Sequence, residues 1–374
     1  MRSSPIAIAF ASGLAISLPK FASAVPYAAS LLQPLSGFSS SYAHNVSSNA
    51  QVGYGFETLG ADRALLWNGS AESVVDLHPL GFTGSRAEGT FGSAQVGFGV
   101  GSAIGGRDHA LLWMGTPESV IDLHPSDYGD SRAQGVSGTH QVGWGTKLSN
   151  SHALLWSGSA ASVVDLHPTG YVHSQAFGVS ADSQVGSGRH SAQPDTHALL
   201  WKGTADSVVD LNPAGFEYSV AAAVSGNSQV GTGYGNATGG TNVYHALLWN
   251  GTAASVIDLN PNGFSTSRAI GVAGNQQVGW GYGIATDGQE HAILWKGSAE
   301  SAVDLHSYLA ELPITIEQSF ALGIETNGAI VGFGCDAEFN AYAILWAPIP
   351  EPNSCELLLV GLVVALVTRR TCHS

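Results

Sequence analysis

Cysteine, methionine and positive charge are all scarce in this 374-residue chain. It has 3 Cys, 2 Met and 13 Lys+Arg against 28 Asp+Glu, for a net charge of −15. Only Cys335 lies clearly between the two terminal segments described below, so no intramolecular disulfide staples the body of the chain. The shortage of Lys and Arg removes the electrostatic footprint that nucleic acid or an anionic lipid surface requires. Long apolar runs are missing as well. The segment Leu357–Val367 reaches 11 residues, short of the roughly 20 needed for a membrane-spanning helix. No GxSxG elbow, phosphate loop, HExxH pair or EF-hand-like acidic loop occurs.

Glycine and repetition are abundant. Gly accounts for 48 residues, and ALLW or AILW ends seven times, at Trp67, Trp113, Trp156, Trp201, Trp249, Trp295 and Trp346. Three further elements share that spacing. DLHP-like pieces carry Asp76, Asp122, Asp165, Asp210, Asp258 and Asp304, QVGxG recurs seven times if IVGFG is included, and SxAxGV begins at Ser41, Ser85, Ser131, Ser174, Ser219, Ser267 and Ser319. A period of 40 to 50 residues signals a repeat architecture. Each period holds four short β-type runs broken by turn residues, which matches one propeller blade. In HALLW both faces are largely apolar, as expected of sheets stacked face to face. The fold class predicted is therefore all-β, a seven-bladed propeller of four-stranded blades.

Seven sets of three strands are complete, but the DLHP strand occurs six times. Ala28–Phe38 (AASLLQPLSGF) reads as a degraded copy of it, with Leu32-Gln33-Pro34 aligned on Leu77-His78-Pro79. An N-terminal strand that completes the last blade removes two exposed sheet edges and closes the ring.

The repeats decide how the polar residues are read. Asp165 and His167, two apart on a strand, would suit a general base or half a metal site. A catalytic pair is needed once, whereas Asp165 has equivalents in six repeats. The set His152, Trp156, Asp165 and Ser174 is similar in residue type to the Asp-His-Ser-Trp hydrogen-bond network of WD-repeat propellers, and it is expected to be structural. The second histidine is replaced by Asn212 and Asn260 in two repeats, a poor exchange for a metal ligand. No catalytic residue, metal or cofactor is expected.

Connection lengths separate scaffold from candidate site. Those from Trp to the next Ser and from DLHP to SxAxGV hold nearly constant, whereas the QVGxG-to-HALLW loops vary between 6 and 11 residues. Alternate connections of an up-and-down blade emerge on opposite faces, so these loops share one face with the DLHP turns. Phe56, Tyr234, Tyr244 and Tyr282 lie there as candidate binding residues.

Residues 1–24 read as an export signal, with Arg2, a weakly apolar core and Ala22-Ser23-Ala24 at the cleavage site. Residues 25–349 then form the propeller, and 350–374 a second signal. Pro350-Glu351-Pro352, followed by an apolar run and Arg369-Arg370, resembles the PEP-CTERM sorting signal of bacterial envelope proteins. That resemblance implies a membrane-embedded exosortase as processing partner and transient membrane association of the C-terminus. The order His-Ala-apolar-apolar-Trp, Asp-Leu, Ser-x-Ala-x-Gly-Val, Val-Gly over residues 41–346 resembles the HAF extracellular repeat, with Leu or Ile, as in Leu154 and Ile293, where that family has Phe. It implies an exported, β-rich, non-enzymatic protein at the cell surface or in the matrix. The partners expected are an envelope polysaccharide or a matrix protein, and the alternative is a carbohydrate-active propeller enzyme or lectin.

Overall fold

In the computed structural model, the described residues are 26–350 apart from 34–36 and 58–59. The sorting-signal residues Glu351, Pro352, Arg369 and Arg370, the apolar run between them and the export signal lie outside this set, while Pro350 is its last member. Seven four-stranded antiparallel sheets make up seven blades. The first blade consists of β2 (Phe38–Ser47), β3 (Ala50–Glu57), β4 (Asp62–Trp67) and β5 (Val75–Asp76), ordered from the innermost strand outward. Each later period repeats this order.

The sequence elements map onto strands for physical reasons. SxAxGV forms the innermost strand and QVGxG the second, joined by tight turns in which Ser48 and Asn49, or a glycine such as Gly138, take positive φ. The first glycine of QVGxG has a steric cause. A Cβ on Gly143 would sit 1.9 Å from the Arg132 carbonyl oxygen, and the equivalent glycines meet the same obstruction. HALLW is the third strand. The outermost strand, as in Val164–Asp165, is only two residues long, which leaves little edge for another chain to pair with.

The core is a set of seams between blades rather than one central mass. Trp156 packs with Val96, Ala110, Leu123 and Ala133, and Trp201 packs likewise with Val142, Ala153, Leu166 and Ala176. All seven repeat tryptophans are at most 1% exposed. A large ring in every seam supplies much of the burial that holds neighbouring sheets together.

The ring closes through the N-terminus. β1 (Tyr27–Leu31) pairs antiparallel with Ala341–Pro348 as the outermost strand of the seventh blade. Leu32 N–H continues the ladder to the Ala343 carbonyl at 2.8 Å, the position that Leu77 takes on Ala64 in the first blade. Leu32 is fully buried and Leu31 half-buried, so Leu32 and Tyr27 carry most of the closure; Leu35 lies outside the described residues. Deleting residues 27–32 removes this strand and two buried side chains, each contributing about 1.5–3 kcal/mol. The shortened protein is expected to melt earlier and to self-associate, as read by calorimetry and light scattering. Unchanged melting and a monodisperse monomer would refute closure as a source of stability.

Candidate functional site

The repeated polar residues meet at the outer part of each blade, where one sheet hands over to the next. Asp165 ends the outermost strand of the third blade. Its Oδ1 accepts the His167 N–H at 2.9 Å, so the two-residue spacing closes a turn. Its Oδ2 is 2.9 Å from His152 Nδ1 and also accepts the Tyr128 hydroxyl at 3.0 Å. Burial alone would raise the Asp165 pKa, but these three donors outweigh it and hold the carboxyl below its usual value.

Ser174 enters from the fourth blade. Its hydroxyl lies 2.8 Å from His167 Nδ1 and accepts the Ala153 N–H at 3.0 Å. The structure thus brings together His152, Asp165 and Ser174 through His167, with the two imidazoles stacked 3.9 Å apart. Trp156 does not join them. Its indole N–H makes no hydrogen bond among the described residues, and the ring serves the seam as bulk.

The substitutions among repeats explain what the second histidine does. His167 bridges Ser174 Oγ and the Tyr171 carbonyl. Asn212 makes the same bridge, accepting from Ser219 at 2.6 Å and donating to the Phe216 carbonyl at 3.0 Å, and Asn260 does so for Ser267 and Phe264. Gln33, the residue aligned with His78, accepts from Ser41 and donates to the Phe38 carbonyl at the closing seam. An amide has one acceptor and one donor end, so the interchangeable imidazole carries its proton on Nε2 and accepts at Nδ1. At the first histidine, Arg63 keeps the bond to Asp76 at 2.7 Å, and Tyr342, in the blade without a DLHP strand, turns to Asp336 at 2.8 Å. No three His, Cys, Asp or Glu side chains converge as a metal site among the described residues.

The four candidate aromatics lie in strands beside the variable loops rather than in the loops themselves, Phe56 in β3, Tyr234 in Ser228–Gly235, Tyr244 in Gly240–Trp249 and Tyr282 in Gln276–Gly283, because the ladder of the second and third strands extends past QVGxG and HALLW. Three of them join one connected set and Tyr282 is the outlier. Tyr234 stacks on Tyr218 at 5.0 Å, with Tyr244 edge-on at 5.1 Å. Arg268 lies over Tyr244 at 4.0 Å and over Trp280 at 5.4 Å. Contacts continue through Phe320, Phe333 and Tyr42 to Phe56. Phe56, Tyr234 and Tyr244 are half-buried, whereas Tyr282 is exposed. The loops themselves are braced. In two of them Thr238 and Thr286 are buried and accept the N–H groups of Gly235 and Gly283 at 3.1 Å, and the residue before each threonine, Ala237 or Ala285, donates its N–H to the carbonyl of Gly215 or Gly263 beside the DLHP-type turn.

Two groups of residues escaped the reading of the sequence. The glutamine of QVGxG is nearly fully buried in six blades, and its Oε1 accepts the N–H of the glycine after Trp, as Gln141 does for Gly158 at 2.7 Å. Its six-fold recurrence was the signal. The other group is His44 and Glu88, which bond to each other at 2.5 Å and line the axial channel. They occupy the fourth position of SxAxGV, where all seven repeats differ.

No family model matches the chain, and no curated protein does. Among solved structures it is similar to the β-propeller domain of the Trilobed protease from Pyrococcus furiosus, at 10% identity and a TM-score of 0.55 over 83% of this chain and 94% of that one. It is also similar to an acylaminoacyl peptidase in complex with Z-Gly-Gly-Phe-chloromethyl ketone, at 10% identity and a TM-score of 0.53, where the match spans 51% of that longer chain. At such identities the likeness concerns the fold alone. The Trilobed protease propeller is described as having an open velcro topology, whereas β1 closes the seventh blade here. Fold and site together define a closed seven-bladed propeller whose repeated Asp, His and Ser are engaged in holding blades together.

Two outcomes follow from the bridging histidines. Ser174→Ala leaves the Ala153 N–H buried without a partner and is expected to destabilise by about 1–3 kcal/mol in denaturant unfolding. Loss below that range would show that water takes over the bond. Burial, first, and the adjacent His or Arg depress the pKa values of His78, His124 and His167 below 6.5. A depressed histidine leaves stability untouched above pH 6.5, where both states are neutral. As pH falls below 6.5 the unfolded chain takes up protons that the native protein refuses, and stability is lost. Replacing all three with Asn, which keeps the bridge, is expected to flatten melting temperature between pH 7 and 5 relative to the parent. Equal slopes would contradict the neutral bridging role.

Proposed function

We infer that the protein is an exported, non-enzymatic propeller that contacts an envelope polysaccharide or matrix protein outside the cell through its variable-loop face. The observation that carries this reading is the connected set of rings from Tyr234 and Tyr244 through Arg268 to Phe56, on strands that border loops of changing length, two of which share the same internal bonding. A rigid aromatic surface lowers the ordering cost of binding, and aromatic rings suit sugar faces or apolar protein patches. The repeated Asp and His supply no competing catalytic reading, because each set is engaged in the same turn and seam. The export and sorting signals expected from the sequence would deliver the propeller to the surface, with exosortase processing at the C-terminal signal.

Tyr282→Ala is the least disruptive probe, since that ring is 37% exposed. It is expected to lower retention at the cell surface with an unchanged melting temperature, at about 1–2 kcal/mol per engaged ring. Replacing residues 236–243 with an equal-length Gly/Ser loop is expected to lower retention further. If replacement of each of the seven variable loops left retention and pull-down like the parent, the loop face would not be the binding surface.

A further inference from the structure

The axial channel opens among the tight turns, on the face opposite the variable loops, and is built differently from the rest of the molecule. Every innermost strand carries a β-bulge after its SxA, so one residue per blade steps out of the ladder: His44, Glu88, Gln134, Phe177, Ala222, Ile270 and Leu322. All seven line one cavity of about 630 Å³, within the roughly 300–1,000 Å³ of small-molecule sites. Bulges re-aim side chains and gather beside functional sites. The residue after the bulge is Gly in five blades. A Cβ on Gly135 would lie 2.8 Å from the Phe177 carbonyl oxygen, so glycine lets the innermost strands crowd the axis.

The scaffold is the same in each blade, yet the bulge residue is different in every one, and the differences are sorted. Blades one to three supply His44, Glu88 and Gln134, and blades four to seven supply Phe177, Ala222, Ile270 and Leu322. The channel is therefore polar on one arc and apolar on the other. His44 Nδ1 bonds to Glu88, while its Nε2 and the Gln134 amide make no hydrogen bond among the described residues. Those groups are free to meet a ligand.

Charge narrows the class. Glu88 and Glu325 line the channel of a protein with net charge −15, which opposes anions. Cations find Glu88 already bonded to His44, with Arg86 and Arg132 close enough to act on its carboxyl. Burial would raise the Glu88 pKa, but His44 and these two arginines outweigh it and keep the carboxylate ionised. The two arginines are themselves bonded to Asp62 and Asp108. What fits is a neutral molecule with a hydrogen-bonding edge and an apolar face.

We propose that the axial channel binds one neutral sugar residue, its hydroxyls toward His44, Glu88 and Gln134 and its C–H face toward Phe177, Ile270 and Leu322. Glu88 accepts from hydroxyls, the free His44 Nε2 is placed to share a hydrogen bond with one, the Gln134 amide both donates and accepts, and Phe177 offers an aromatic face. This site opens on the face opposite the variable loops, with His44 packed edge-on against Tyr54 beneath Tyr42 and Phe56, and it does not rest on the role of the loop face.

The test is isothermal titration calorimetry on the full chain with glucose, galactose, mannose and N-acetylglucosamine, and with acetate and tetramethylammonium as charged probes. Saturable binding of at least one sugar and of neither ion is expected. Glu88→Gln is expected to weaken it about tenfold, and Gln134→Ala and Phe177→Ala several-fold each. Tyr282→Ala should leave it unchanged, which separates this site from the loop face. Gln134 has no protein bond to lose, so Gln134→Ala reports on the channel even if Glu88→Gln fails to fold. Absence of saturable binding by all four sugars, preference for either ion, or parent-like binding by Gln134→Ala and Phe177→Ala together would overturn the proposal.

Discussion

One hydrogen bond, made seven times, organises this molecule. In each blade the outermost strand stops before it reaches the alanine of HALLW, so that alanine's N–H is left without a ladder partner in a buried seam. The serine that opens the next blade accepts it, from Ala64 to Ser85 at 3.1 Å and, across the closing seam, from Ala343 to Ser41 at 3.0 Å. A buried donor without a partner is costly, so each blade requires its successor. The seventh requires the first, which is why an open row of these repeats would strand a bond at its end.

Everything attached to that serine follows from it. Its hydroxyl already accepts from the backbone, so its proton must go elsewhere, and His167, Asn212 or Gln33 receives it. The three side chains differ in chemistry but share one acceptor and one donor at the right separation, and that is the property the position demands. Asp165 completes the arrangement by capping the turn and orienting the first histidine. Neighbouring blades are thus joined by backbone-to-serine bonds, in keeping with a chain so poor in cysteine.

The seam bonding leaves two regions free to vary. Connections that face away from the tight turns can lengthen without disturbing any seam, provided they brace themselves as Thr238 and Thr286 do. The bulge residue of each innermost strand is free as well, because it stands outside the ladder. The loop face and the axial channel are thus two places where the repeats differ and where a propeller presents surface to other molecules.

The repeat period, the β-type runs and the missing seventh DLHP strand were enough to reach a closed seven-bladed propeller from the sequence, down to Leu32 and Gln33 in register with Leu77 and His78. That legibility has a physical cause: each blade solves the same local problem, so its solution is written seven times. The tertiary structure decided what repetition cannot express. Trp156 has the residue type of a hydrogen-bonding partner, yet it sits in the seam away from His152 and Asp165, because the distance between elements depends on sheet twist and blade packing. The linkage of Tyr244 to Phe56 uses repeat-equivalent positions, Arg268, Phe320 and Tyr42 being second in SxAxGV and Trp280 and Phe333 the variable residue of QVGxG, but it joins the seventh blade to the first only because the ring closes. His44 and Glu88 are 44 residues apart and occur once. They become neighbours only because a bulge turns each toward an axis that exists when seven sheets close, and no single repeat contains that axis.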